Sequence, residues 1–328
     1  MCHLRRRSAA PRRARGATGF ARRREVTRSV PGPAAYARRF ALLVNPAAAR
    51  GRALRAAPVV RAELDALGAE NRLEVTSSID HAVDEAARAA AAGESVIAIG
   101  GDGFAGPVAG ALRDTDGALA LVPAGRGNDF ARTLGVPKDP RAAARLAVVG
   151  QERLLDVGTV DGRPFLGIAS VGFDSDVQEI ANRVRFGGSL VYLYAALRAL
   201  AGWRHATFEA RVDGETLSVT GYALAVANSG VYGGGMRLLP HARLDDGRLD
   251  VLLVGAHPKL RYLASLLKVF RGTHLEGDVP ARLAEGVTVE VGADRPFAVY
   301  ADGDPIGELP VTVRVEPRCL RMIVPADR

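Results

Sequence analysis

The 328-residue chain has little of what marks a disulfide-stabilised, metal-binding or membrane-spanning protein. It holds two cysteines, Cys2 and Cys319, which are too few for a disulfide framework and lack the spacing of a zinc site. Its six histidines form no i, i+4 pairs. No apolar run approaches the ~18 residues that a transmembrane helix needs. These absences favour a globular protein of a reducing cytoplasm.

Two catalytic signatures are also absent. The chain contains no G-x-x-x-x-G-K-[ST] sequence, which excludes a P-loop. It contains no G-x-S-x-G nucleophile elbow, so nothing indicates a serine hydrolase.

The formal net charge of +8 is unevenly distributed. Residues 1–39 contain 12 arginines and one acid, Glu25, whereas the remainder carries 32 basic and 35 acidic residues. This pattern predicts a disordered Arg-rich tail over residues 1–39 and a folded body that does not bind nucleic acid. We interpret the tail as a solvated segment. Binding of the tail to anionic lipid or nucleic acid, and a start codon assigned too early, remain open alternatives.

The body predicts an α/β fold in two parts. Residues 40–155 alternate buried-type strands with helices at about 52–68, 79–92, 104–113 and 140–149, which is typical of a Rossmann-like nucleotide domain with a parallel sheet. The strands are predicted at Phe40–Val44, Leu73–Val75, Val96–Ile99 and Leu119–Val122.

Residues 156–311 are richer in strands and short turns, which indicates a β-rich, sandwich-like domain. Asp-Gly pairs beginning at Asp161, Asp213, Asp246 and Asp302 are typical of hairpin turns. Two helical segments interrupt the strands, at about 189–203 and 258–270. The active site is expected in the cleft between the two domains.

Two Gly-rich turns are the most informative feature of the chain. Ser95–Phe104 and Leu121–Arg132 each run from a buried-type strand into a turn and a helix start. Turns of this kind at neighbouring strand ends present backbone N–H groups that can cradle phosphate. Asp102 lies inside the first turn, where an acid would suit a magnesium ion or an acceptor hydroxyl better than bare phosphate.

The first turn also matches G-x-G-x-x-G through Gly101, Gly103 and Gly106. We discount a dinucleotide fingerprint because the turn follows what we predict as the third strand and has an Asp between its first two glycines. The ribose-binding acid expected about twenty residues later is also missing.

Spaced motifs in the chain resemble those of the diacylglycerol kinase catalytic-domain family, which is related to sphingosine kinases and more distantly to NAD kinases. The resemblance covers residues from about 40 to 325. It rests on Asn45-Pro46, Gly100–Gly103, Pro123–Arg132, Val171–Asp174, Gly233–Met236, Pro240–Asp250 and Ala301–Pro305.

The resemblance implies an ATP- and magnesium-dependent lipid kinase that converts diacylglycerol to phosphatidate or phosphorylates a similar lipid alcohol. It also implies that strands in 312–328 return to the first domain. It implies Asp304 as the general base, with Asp102 as the other candidate. It implies magnesium held by the Asp246 side chain with backbone oxygens of Arg243 and Arg248. The implied ATP-binding residues are Asn45, Thr76, Gly100, Gly101, Asp102, Gly103, Phe104, Gly125, Arg126, Gly127 and Asn128.

For several of these residues, an interpretation without any role in binding or catalysis remains open. Asp304 stands where the family usually has Glu, and an Asp-Gly-Asp-Pro sequence is equally typical of a solvated turn. Phe104 and Arg126 each replace a usual Thr; Arg126 either donates to a phosphate or faces solvent. Thr76 either contacts the nucleotide or simply ends a strand.

The expected partners are ATP, a membrane lipid and, transiently, an anionic membrane surface, which places the protein at the inner face of the membrane. Asn182–Ala206 and His257–Leu275 combine apolar residues with Arg or Lys, as interfacial helices do, although core-packing helices have the same pattern. The oligomeric state stays open, with a homodimer as one option. The alternative functions are an NAD kinase and a nucleotide- or lipid-binding module without turnover.

Overall fold

The computed structural model of the chain describes residues 38–184, 190–276 and 280–326. The predicted tail lies outside these residues except for Arg38 and Arg39, which contact the folded body. Arg38 Nη2 pairs with Glu152 at 3.2 Å, and Arg39 donates to the Ala92 carbonyl.

The first region is a parallel sheet with helices. Its strands are β1 (Phe40–Val44), β2 (Asn71–Val75), β3 (Ser95–Gly100) and β4 (Ala118–Pro123), in the order β2-β1-β3-β4. Its helices are α1 (Arg52–Ala66), α2 (Ile79–Ala91), α3 (Asp102–Ala111), α4 (Asp129–Thr133) and α5 (Pro140–Val149). Every residue of β1 is buried, as expected of a parallel strand covered on both faces.

The second region is mainly antiparallel. Its strands are β5 (Gln151–Val160), β6 (Arg163–Phe165), β7 (Ile168–Gly172), β8 (Ala206–Val212), β9 (Glu215–Ala227), β10 (Val231–Tyr232), β11 (Met236–Arg237), β12 (Leu249–Gly255), β13 (Ala281–Gly286), β14 (Thr288–Ala293), β15 (Ala298–Ala301), β16 (Asp304–Glu308) and β17 (Val311–Val324). Its helices are α6 (Phe173–Arg183), α7 (Leu190–Gly202) and α8 (Lys259–Val269), with a 3₁₀ turn at His274–Glu276.

Strand β17 connects the two regions. It pairs antiparallel with β14 and β5 and parallel with β4, where Arg321 lies opposite Ala118. The sequence suggests two strands here, but the structure has one, with a shift in its pairing with β5 between Glu316 and Leu320. The strand therefore joins both regions in a single sheet and returns the chain to the first one.

Three of the four predicted Asp-Gly turns are hairpins, between β5 and β6, β8 and β9, and β15 and β16. The fourth prediction is wrong, because Asp246 and Gly247 lie in a loop between β11 and β12, which do not pair. Helix α6 was not predicted at all.

Candidate functional site

A cavity of about 620 Å³ opens where β3 and β4 end. One wall comes from the first region and the other from the second. The first wall includes Asn45, Gly101, Asp102, Gly103, Gly125, Arg126, Gly127 and Asp129. The second includes Ser170, Gln178, Tyr232, Gly233, Tyr300, Asp302, Gly303 and Asp304.

The two Gly-rich turns pack directly against each other. A Cβ on Gly125 would lie 2.5 Å from the Cα of Gly101, so a larger residue would push the turns apart. The amides of Ala124 and Gly125 donate to the Gly100 carbonyl at 2.7 and 3.1 Å. Asn128 Oδ1 accepts from the Gly125 amide at 2.7 Å. Gly100 and Asn128 therefore shape the turns from within, whereas Gly101, Gly103, Gly125 and Gly127 face the cavity.

The Asp102 carboxylate links the first turn to the helix that follows the second. Its Oδ2 accepts from the amide of Asp129 and its Oδ1 from the amide of Phe130, both at 3.0 Å. A carboxylate at a helix N-terminus is favourable because the free N–H groups carry partial positive charge. Each oxygen retains another lone pair, so the group can still meet a cation in the cavity.

The Asp304 carboxylate reaches the same place from the opposite wall. A Cβ on Gly103 would lie 1.9 Å from Asp304 Oδ2, so the carboxylate rests against the Gly103 backbone. Removal of water from this group raises the pKa of Asp304, and the negative charge of Asp102 raises it further. The structure thus brings together the two predicted catalytic acids.

Asp302, two residues earlier, is a site residue that the sequence analysis treated only as half of a turn. Its backbone φ is 53°, and its Oδ2 and Oδ1 accept from the amides of Leu166 and Gly167, both at 2.8 Å. Burial raises the pKa of Asp302 to about 7 despite these bonds, and the charges of Asp102 and Asp304 contribute. Asp302 therefore anchors the hairpin that carries Asp304.

Asp129 is the second acid whose role was missed. Its Oδ2 accepts from the Gly234 amide at 2.7 Å, and its Oδ1 pairs with Arg132 at 2.5 Å. Burial raises the pKa of Asp129, and Asp102 adds to the shift. Through these contacts Asp129 holds the glycine loop of the second region against the turns of the first.

Four carboxyl groups thus converge on the cavity, and the pKa values of Asp129, Asp302 and Asp304 are raised mainly by burial and further by the negative charge of Asp102. Such hard oxygen donors fit magnesium, which commonly takes one or two carboxylates together with substrate phosphates. In the part of the chain that the structure describes, no three His, Cys, Asp or Glu side chains form a ready metal cage.

Two predicted nucleotide ligands have side chains that are already packed or hydrogen-bonded within the protein. The Thr76 hydroxyl is buried and donates to the Val44 carbonyl at 3.1 Å, as at an ordinary strand end. The Phe104 ring is 2% exposed and packs against Gly100. Phe104 is therefore a core residue whose side chain fills space beneath the first turn.

Asn45 and Arg126 lie at the edge of the cavity. Asn45 Oδ1 accepts from the Ala47 amide at 3.0 Å, which closes a local turn after β1. The Arg126 side chain is exposed on the cavity wall, where it can reach either a phosphate or solvent.

The predicted magnesium loop does not line this cavity. Asp246 is exposed and its Oδ1 accepts from the Arg248 amide at 3.1 Å. The loop is tied instead to Asp156, a fully buried residue whose carboxylate accepts from the amides of Gly247 and Arg318, both at 2.7 Å. Asp246, Arg243 and Arg248 are therefore placed beside β5 and β17, apart from Asp102 and Asp304.

A second cavity of about 610 Å³ adjoins the first. The residues that line both cavities are Ile79, Asp102, Gly103, Pro107, Asp302 and Asp304. The wall of the second cavity is largely apolar, with two arginines, and includes Ile79, Val83, Pro107, Phe165, Ile306, Arg113 and Arg163. The carboxyl groups of Asp102 and Asp304 are thus accessible from two sides.

Among the described residues, no helix is both long and apolar enough to cross a membrane.

Comparison with known proteins accounts for nearly the whole described chain. Residues 39–160 match the diacylglycerol kinase catalytic domain, and residues 167–324 match the YegS C-terminal NAD kinase beta sandwich-like domain. A diacylglycerol kinase of Mycobacterium tuberculosis is 34% identical over 294 residues, covering 86% of this chain and 94% of that protein. A Pseudomonas fluorescens protein named "Probable lipid kinase YegS-like" is 35% identical over 247 residues, covering 73% and 80%.

The fold is similar to that of a solved diacylglycerol kinase from Bacillus anthracis. The TM-score is 0.68 at 20% sequence identity, over 89% of this chain and 98% of the other.

Proposed function

Because the chain belongs to the family of diacylglycerol kinases and YegS-like lipid kinases, we propose that it transfers the γ-phosphate of ATP, with magnesium, to the hydroxyl of diacylglycerol to form phosphatidate. The observation that carries the proposal is the meeting of two cavities at Asp102 and Asp304. This arrangement lets a phosphate donor and an alcohol approach the same carboxylates from different directions, as in-line transfer requires.

The Gly-rich turns bind the nucleotide in this proposal. Gly101, Gly103, Gly125 and Gly127 allow the phosphates close to the backbone. The Gly125 N–H already donates within the turns, so the N–H groups of Gly103 and Gly127 supply the positive charge. Asp102 and Asp129 would hold magnesium. When bound, magnesium neutralises charge on the phosphates during transfer.

Asp304 accepts the proton of the lipid hydroxyl. Its raised pKa improves it as a base, because a carboxylate with a pKa nearer to neutrality binds a proton more strongly. Asp302 positions it by fixing the hairpin through Leu166 and Gly167.

The test is incubation of the purified full-length chain with γ-labelled ATP and detergent-dispersed diacylglycerol, followed by lipid extraction and thin-layer chromatography. We expect label in phosphatidate, and none when EDTA removes magnesium. Parallel reactions contain NAD or sphingosine in place of diacylglycerol. Label in NADP alone would identify an NAD kinase, and label in the other lipid alone would overturn the choice of diacylglycerol. ATP binding without any transfer would indicate a binding module.

A further inference from the structure

Helix α8 presents leucines to solvent. Leu260 is 81% exposed and Leu267 is 72% exposed. They are seven residues apart and therefore lie on one face of the helix, whereas Tyr262 and Val269 on the opposite face are both 4% exposed. The helix thus has an apolar ridge on each side, one in the core and one outside it.

Basic residues flank the exposed ridge. Arg261 and Lys268 lie beside Leu260 and Leu267 along the helix, and Arg271 follows just after its end; all three are exposed. Helix α8 contains no acidic residue. Within the described ranges, no ion pair involves Arg261, Lys268 or Arg271. Large exposed apolar side chains among unpaired cations are typical of an interfacial helix.

Helix α7 ends beside the start of α8 and also presents apolar and basic side chains to solvent. Lys259 Nζ donates to the Ala201 carbonyl at 3.1 Å, so the start of α8 lies beside the end of α7. On α7, Tyr194 is 46% exposed, Leu197 is 48% exposed, and Arg198 is exposed next to them. We call these outward residues the α7–α8 face: Tyr194, Leu197, Arg198, Leu260, Arg261, Leu267, Lys268 and Arg271. Arg185 and Phe186, which the sequence analysis assigned to the same segment, lie outside the described residues.

We propose that the α7–α8 face docks on the surface of an anionic phospholipid bilayer. The partner follows from the charge, because the cations match anionic headgroups while the leucines enter the acyl boundary. A second copy of the chain would instead set arginines and lysines against the same cations, with no acid on the face to pair with them.

Helix α8 and one wall of the first cavity pack on the same buried cluster. Val269, on the inner side of α8, belongs to a buried cluster against which Tyr232 packs, and Tyr232 lines the cavity. This inference rests on the proposed lipid kinase activity, because an enzyme that acts on diacylglycerol must reach its substrate at a membrane.

The test is cosedimentation of the full-length chain with phosphatidylcholine vesicles, with and without about 30% phosphatidylglycerol, in the absence of nucleotide. L260S/L267S should weaken partitioning into anionic vesicles by about tenfold or more, at both low and high salt, because it removes apolar insertion. R261S/K268S should weaken it by about tenfold at low salt and much less at high salt.

Matched controls come from the first region. L67S/V149S removes two exposed apolar residues, and R61S/K138S removes two exposed cations, so both should bind vesicles like the unmodified chain. Equal binding by all five proteins would overturn the proposal. A shift in oligomeric size caused by L260S/L267S, measured by size-exclusion chromatography, would overturn it in favour of a self-association face.

The same variants separate this inference from the kinase assignment. L260S/L267S should lose transfer to diacylglycerol in vesicles but keep transfer to a short-chain diacylglycerol dispersed in detergent. Failure of transfer by every protein on both substrates would sink the proposed function, while the vesicle-binding result would still decide the docking surface.

Discussion

The two walls of the cavity are built in different ways. The wall from the first region is centred on two Gly-rich turns, which are held by short-range contacts such as that between Gly125 and Asn128, three residues apart. The wall from the second region is made of side chains, and its key acid, Asp302, is fixed by amides 135 and 136 residues away. The conformation of the Gly-rich turns is therefore encoded locally, whereas the position of Asp302, and with it the hairpin that carries Asp304, depends on folding of the whole body.

The largest effect is expected when Asp304, the proposed base on the wall from the second region, is replaced. Asp304→Asn keeps the size of the residue but cannot take a proton, and should lower kcat by about 10²–10⁴ with little change in nucleotide affinity. The acidic limb of the kcat–pH profile should flatten. Asp304→Glu, with the carboxylate that the family usually has here, should retain more turnover than Asn. Near-full activity of Asp304→Asn would move the base elsewhere, with Asp102 next.

The contact between Gly103 on one wall and Asp304 on the other can be disrupted by a substitution at the glycine. In Gly103→Ala the new Cβ would meet Asp304 Oδ2 at 1.9 Å, so the carboxylate must move while the backbone conformation remains acceptable for alanine. Misplacement of a catalytic group by about 1 Å can cost roughly 10²-fold in rate, and we expect a loss of 10- to 100-fold in kcat with little change in Tm. Gly292→Ala, where no atom lies within 4 Å of the new Cβ, is the control and should be neutral. Full kcat in Gly103→Ala would show that the Asp304 position is not critical.

Because the Asp302 carboxyl group is buried, the free energy of unfolding should depend on pH. The pKa of Asp302 is about 7 in the folded state against an ordinary 3.8, so between these values the folded chain holds a proton that the unfolded chain has lost. Its contribution to stability therefore falls as pH rises from about 4 to 7, by roughly 4 kcal/mol at most, and the loss is complete above that range.

The Asp302→Asn side chain does not titrate in this range. Its single amide oxygen replaces the two carboxylate oxygens of Asp302, so it can satisfy only one of the two backbone N–H groups that donate to them. Urea unfolding without nucleotide or magnesium should show that the stability advantage of the unmodified chain over the variant shrinks between pH 5 and pH 8. A difference that is constant across this range would contradict the raised pKa.

The smallest effect is expected at Thr76, a predicted nucleotide ligand of the first region. Thr76→Val removes a buried hydroxyl that donates to Val44 and should cost about 0.5–1.5 kcal/mol in unfolding free energy. ATP affinity, measured by calorimetry, should stay within about twofold, because the hydroxyl is already hydrogen-bonded within the protein. A tenfold loss of affinity would restore Thr76 as a nucleotide ligand.

Sequence reasoning succeeded where neighbouring residues decide the structure. The ends of β1 agree with the prediction, because a continuous apolar run is typical of a parallel strand covered on both faces. It missed α6, whose apolar residues are interspersed with acids and whose burial comes from packing against α7 and β7. It also took Asp302 for a turn residue, since an Asp-Gly pair has the same local pattern whether or not its carboxylate is buried.

By itself, the sequence determined the alternation of strands and helices, the Gly-rich turns and the membership of the lipid kinase family, because each depends on residue patterns along short stretches. Only the tertiary structure decided that Asp102 caps α4, that Asp302 and Asp129 join the site, that the Thr76 hydroxyl bonds to Val44 and that the Phe104 ring is buried. The physical reason is that burial and hydrogen-bond partners belong to distant segments, and they set which acids are desolvated and which hydroxyls are already satisfied.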